Sequence, residues 1–159
     1  MSWEIEIELS GATAGPIRDR GAYKVKVLTT EMYVTDSGNQ RMKYEVEVIE
    51  GPQAGKTGRG GMSVPTGESD WRKRLWFALL TSLGHKPEDV TSKFKPGGKK
   101  LKASDIEGRT GWIYYTPSAG QGTFSECEWY PSEAAAQAAD ARYTARVNSD
   151  KKQDDEIPF

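Results

Sequence analysis

The chain has 159 residues, 36% hydrophobic and 28% charged, with a formal net charge of −1. That length suits one domain with appendages around a modest core. It holds no apolar run of about 18 residues and no signal-peptide pattern, which predicts a soluble, cytoplasmic protein and no membrane partner. One cysteine, Cys127, and one histidine, His85, exclude a disulfide within the chain and a zinc site of the usual Cys/His type. Cys127 lies between Glu126 and Glu128, which disfavours the thiolate, so no catalytic cysteine is expected. No cofactor is expected, and no enzymatic activity.

Residues 3–9 alternate Trp3, Ile5, Ile7 and Leu9 with Glu4, Glu6 and Glu8. A period of two predicts a strand with one acidic face. A Gly-, Ala- and Pro-bearing loop follows. A long strand is predicted over residues 22–35. Tyr23, Val25 and Val27 point one way, and Lys24 and Lys26 the other. The alternation breaks near residues 28–30, which predicts a bulge or bend. The tetrad Asp36-Ser37-Gly38-Asn39 predicts a turn, and residues 41–50 the partner strand of a hairpin. Residues 56–64 form a glycine-bearing third strand, ended by Pro65, whose glycines permit the curl of a small closed barrel.

Residues 68–83 predict a helix with Trp71, Leu75, Ala78, Leu79, Ser82 and Leu83 on one face. Ser69 or Asp70 is placed to cap it, and Gly84 to stop it. Residues 85–103 read as irregular and basic. Strands are predicted over 109–116 and 123–130, joined by a Ser-Ala-Gly-Gln-Gly turn. The Ala-rich residues 132–149 predict a marginal helix or linker, and residues 150–159 a disordered acidic tail. That tail contributes −2, leaving about +1 on the other 149 residues. The body is therefore near neutral, and any nucleic-acid binding must rest on local patches and stacking.

The order of three strands, a helix and two closing strands predicts a mainly β fold. Its expected form is an OB-fold, a five-stranded Greek-key barrel with one helix between strands three and four. The barrel is expected to occupy residues 1–131. The Ala54-Gly55-Lys56-Thr57-Gly58 stretch is not a phosphate-binding P-loop. Gly51 and Gly55 stand one residue too close, and a glycine-rich strand follows instead of a helix.

Tracking a nucleic-acid strand needs cations for phosphates and exposed rings for bases. Charge and alternation nominate Lys24, Lys26, Arg41 and Lys43 on the hairpin, with Tyr33 near its bend. They nominate Lys56 and Arg59 on the glycine-rich strand, and Lys99 and Lys100 in the basic loop. That loop, with Lys93, Lys95, Lys102 and Phe94, reads either as a solvated loop or as an arm closing over the strand. In the fourth strand, Trp112 and Tyr114 are expected to face away from the core, because Ile113 favours burial. Arg72, Lys73 and Arg74 on the helix read as a solvated face.

The chain ends Asp154-Asp155-Glu156-Ile157-Pro158-Phe159. This hexapeptide resembles the acidic tip of bacterial single-stranded-DNA-binding proteins. The body resembles short, divergent OB-fold proteins of bacteriophages, in its strand order and in the GAYKVKV and IEGPQAGK stretches. The resemblance implies a protein that binds single-stranded DNA and recruits replication, recombination and repair proteins through residues 154–159. It implies residence in the bacterial host cytoplasm if phage-encoded. The family's long Gly-, Gln- and Pro-rich linker is absent, and the body shows no match to the family's OB-domain stretches. The family's tetramer depends on its own surfaces, so a homo-oligomer here would be a dimer before a tetramer. None of the DNA-contacting residues above derives from the resemblance; only the tail does. The alternatives are an OB-fold adaptor that competes for clients of single-stranded-DNA-binding proteins, and an RNA-binding OB-domain.

Overall fold

A computed structural model describes residues 2–12, 14–67, 71–118 and 125–156, with side chains described as far as residue 148. The architecture is one antiparallel sheet of five strands with helices packed on it. The strands are β1 (Gly21–Val34), β2 (Gln40–Val48), β3 (Thr57–Ser63), β4 (Thr110–Thr116) and β5 (Glu126–Tyr130). Between β3 and β4 lie α1 (Arg72–Ser82), α2 (Pro87–Lys93) and a short 3-10 turn, Ala103–Asp105. A long helix α3 (Glu133–Glu156) follows β5. The spatial order is β3-β2-β1-β4-β5, so β1 is central and pairs with both β2 and β4.

Alternation decides the two faces. Val25, Val27, Met42, Tyr44, Val46, Val48, Ile113 and Trp129 are buried and share one face with Trp76, Leu79, Leu80 and Leu83 of α1 and its end. Each fully buried aliphatic side chain contributes about 1.5–3 kcal/mol, so this face accounts for most of the fold's stability. The expected break in β1 is a register shift between Val27 and Thr29 opposite β2. The hairpin closes as predicted, with the Thr35 N–H donating to Asn39 O at 2.8 Å and Gly38 at φ +87°.

The sheet curls across the core, bringing β5 over β2 and the residue before β5 against β3. Trp129 Nε1 on β5 donates to the Tyr44 hydroxyl on β2 at 2.9 Å, and Ser125 Oγ donates to the Arg59 carbonyl of β3 at 2.7 Å. Glycines make the approach possible. A Cβ on Gly58 would stand 2.7 Å from the Tyr115 ring, and one on Gly60 would meet the Tyr44 hydroxyl.

Four predicted elements are corrected. Residues 3–9 form no strand, and Trp3, Ile5, Ile7 and Leu9 are 63–79% exposed. Alternation makes a segment competent to pair but supplies no partner edge. Helix α1 buries Trp76, Leu79 and Leu80, whereas Trp71 and Leu75 are exposed. Two apolar stripes overlap on this helix, and the sheet selects the second. The expected caps Ser69 and Asp70 lie outside the described residues; Gly84, at φ +95°, does end the helix.

The expected single helix between strands three and four is joined by α2, whose Pro87, early Glu88 and Asp89 and late Lys93 are ordinary helix-end signals. Helix α3 continues through residue 156, past the expected boundary at 149 and through the backbone of Asp154, Asp155 and Glu156. Lys151 and Lys152 precede Asp155 and Glu156 by four residues, a spacing that supports helix. Ile157, Pro158 and Phe159 lie outside the described residues.

Candidate nucleic-acid interface

The face of the sheet opposite α1 carries most of the nominated cations, and acids interleave them. Lys24 lies 4.0 Å from Glu50, Lys43 lies 3.3 Å from Glu31, and Arg59 lies 3.8 Å from Glu45. Lys26 stands opposite Glu47 in the β1–β2 ladder. Such exposed pairs contribute little to stability, but they divide the surface into small alternating fields instead of one basic stripe. Lys56 is half-buried at the start of β3, and Lys100 is exposed, apart from the hairpin.

Tyr114 and Trp112 part company. Trp112 is half-buried opposite Lys24. Tyr114 is only 5% exposed, with its hydroxyl donating to Asp140 Oδ1 at 3.3 Å and its ring 6.5 Å from Tyr143. The expectation that Tyr114 offers its ring outward is thus corrected. It does leave the core face, but Ala136 and Ala139 of α3 are buried and bring that helix over it. The thin apolar face of α3 is what permits the close approach.

The basic loop is pinned. Lys99 Nζ reaches Asp105 Oδ1 at 3.1 Å, the Lys102 N–H donates to Asp105 Oδ2 at 2.8 Å, and His85 Nε2 lies 2.7 Å from the Asp105 carbonyl. Burial pulls the Asp105 carboxyl upward, but the Lys102 N–H and the Lys99 ammonium outweigh it and hold the carboxyl below its usual range. Phe94 packs on the core and meets His85 edge-on at 6.1 Å. The loop is therefore a fastened flap rather than a free arm. Cys127 packs its side chain on the core. Burial pushes its thiol up to about 12, and Glu128 adds to the push.

One group of nominated residues does come together. Tyr33, 38% exposed, accepts a hydrogen bond from Arg41 Nε at 3.2 Å, and Lys43 Nζ lies 5.6 Å from the Tyr33 ring centre. Arg41 Nη1 donates to Ser63 Oγ at 2.7 Å. Gly61 makes room for this guanidinium: a Cβ there would stand 3.0 Å from Arg41 Nη2. Arg41, Gly61 and Ser63 line a small cleft of about 310 Å³ with Trp71, Arg72 and Leu75. Trp71 is 69% exposed. The result is a planar cation held flat, with an exposed tyrosine on one side and an exposed tryptophan across the cleft.

Sequence reasoning found Tyr33, Arg41 and Lys43 and missed Trp71, which it assigned to the buried side of the helix. The signal was present. Trp71 precedes three basic residues, Arg72, Lys73 and Arg74, and Trp76, five positions on, supplies a competing bulky anchor for the core. Among the described residues no group of His, Cys, Asp and Glu is arranged to hold a metal ion, and no helix is long and apolar enough to cross a membrane.

Residues 12–74 are similar to a family whose description reads "Protein of unknown function (DUF669)". The match takes in β1, β2 and β3 and less than half of the chain. Among curated proteins, none matches.

Proposed function

We propose that this protein binds single-stranded DNA without sequence specificity, on an OB-type barrel, through the cluster of Tyr33, Arg41, Lys43 and Trp71. The observation that carries the proposal is the Arg41 guanidinium, held by Tyr33 and Ser63 beside an exposed tryptophan. Flat rings accept any base, and a fixed guanidinium meets phosphate or stacks on a base face. Two further features support the proposal. The strand order, with helix between β3 and β4 and with β3 and β5 approaching, fits an OB barrel. The acidic stretch Asp154–Phe159 fits recruitment of replication, recombination and repair proteins. Catalysis has no part in this proposal.

Alanine substitutions test it. Removing a stacking ring costs about 1–3 kcal/mol per base, so Trp71→Ala and Arg41→Ala are each expected to weaken oligo(dT) binding roughly 5- to 150-fold. Tyr114→Phe, beneath α3, is expected to leave binding unchanged. Unaltered affinity in both alanine variants would overturn the assignment of the site.

A second reading rests on a specific observation. The ion pairs on the hairpin face mute its positive field, which favours an adaptor that binds protein instead of DNA. An adaptor would give no response to any oligonucleotide at low salt. A domain specific for RNA would prefer oligo(U) to oligo(dT).

A further inference from the structure

Beside the core face lies a second, larger cleft of about 1210 Å³. Met42, Trp76, Leu80 and Ile106 floor it, and Met32 and Phe77 stand exposed along it. Along one side runs a strand edge that no strand among the described residues pairs with. β4 pairs with β1 only from Gly21 to Lys26, whereas β2 pairs with β1 as far as Val34.

The backbone of that edge faces outward. The Val64 N–H donates to the Gln40 carbonyl, so Gln40 turns its polar groups to the β3 side. Its β1 partner Val34 therefore turns its own away from β2, as do Met32 and Thr30 two and four residues earlier. Thr30 confirms the direction, since its N–H donates to Glu107 Oε1 at 2.7 Å. That contact caps the inner end of the free edge. Met32 and Val34 remain beyond it, 47% and 68% exposed. An edge of this kind is a template for an added strand.

The chain carries a segment of matching chemistry. Trp3, Ile5, Ile7 and Leu9 alternate with Glu4, Glu6 and Glu8, and all four apolar residues are exposed. In an extended segment they fall on one side, as a cleft floor of Met42, Trp76 and Leu80 requires. The carboxylates then fall on the opposite face of the sheet, the face that carries Glu31 and Lys43. Glu31, on the receiving edge, is already paired with Lys43.

We propose that residues 2–9 of one copy add as a strand to the free edge of β1 in a second copy. Trp3, Ile5, Ile7 and Leu9 fill the cleft of that second copy. A two-fold axis makes the exchange reciprocal and the assembly a closed dimer. The chain's own segment is badly placed for its own cleft. Pro16 bridges Thr57 at the start of β3, while the cleft lies past the end of β3, beside Val64 and Pro65. Seven strand residues separate the two, roughly 20 Å. The spacer between them is shortened by a turn, with the Ala12 N–H bonded to Leu9 O at 3.0 Å. The inference is independent of DNA binding.

The test is solution mass by light scattering over a concentration series, without nucleic acid. The intact chain is expected at twice the monomer mass. Ile5→Asp/Ile7→Asp spoils the segment, and Met32→Glu spoils the edge. All three positions are exposed, so the fold should tolerate them. Each variant alone is expected to be monomeric. Their mixture is expected to form a weaker heterodimer, because each supplies what the other lacks. A monomeric intact chain at every concentration would overturn the proposal, whether its cleft stays open or takes its own segment. So would a dimer that survives in both variants, or a mixture that stays monomeric.

Discussion

Gly58 and Gly61 are both bare positions on β3, and they serve different ends. On the core side, Gly58 lets the Tyr115 ring lie against the strand, with Ile17 Cδ1 3.1 Å from where a Cβ would stand. On the other side, Gly61 lets Arg41 lie flat. Gly58→Ala sets two effects against each other. Alanine restricts the unfolded chain, which stabilises by about 0.4–1 kcal/mol. Forcing the buried tyrosine ring aside costs about 1–3 kcal/mol. The steric term wins, so Gly58→Ala should lower the denaturation midpoint. Gly67→Ala, with nothing within 4 Å of its added Cβ, should leave the midpoint unchanged or slightly raised. Equal midpoints for the two variants in chemical denaturation would contradict the packing described for β3.

The hairpin of β1 and β2 was legible in the sequence because its strands alternate cleanly and Asp36-Ser37-Gly38-Asn39 is turn chemistry. The bulge was legible as a break in that alternation. What failed to show was decided by packing between elements. Residues 3–9 have the pattern of a strand, but whether an edge is available lies elsewhere in the chain. Helix α1 carries two usable apolar stripes, and only the sheet beneath it distinguishes Trp76 from Trp71. Tyr114 and Trp112 share a side of β4, and only α3 separates a covered ring from a half-covered one. α3 also bears on the tail, since its backbone is helical through residue 156. If the acidic end screens the cations of the hairpin face when DNA is absent, removing residues 150–159 should tighten oligo(dT) binding at low salt and change it little at high salt. Unchanged or weaker low-salt binding by the truncated chain would count against that screening.

Taken together, the protein is a five-stranded antiparallel sheet with one face filled by α1 and the other partly roofed by α3. Among the described residues the distal hairpin stays open, and the Tyr33–Arg41–Trp71 cluster sits there. The same region borders the free edge of β1, so assembly and strand binding would share one end of the sheet. Local charge is balanced on the hairpin, and the affinity expected is moderate, with stacking carrying more of it than in a basic-groove protein. The most direct test is a tryptophan-fluorescence titration with oligo(dT) across a range of salt concentrations, beside the same titration with duplex DNA. Single-strand binding through the cluster predicts quenching by oligo(dT) alone. Its affinity should fall with salt with a log–log slope of about −0.7 per phosphate contacted. No quenching and no mobility shift at low salt, or an equal response to duplex, would contradict it.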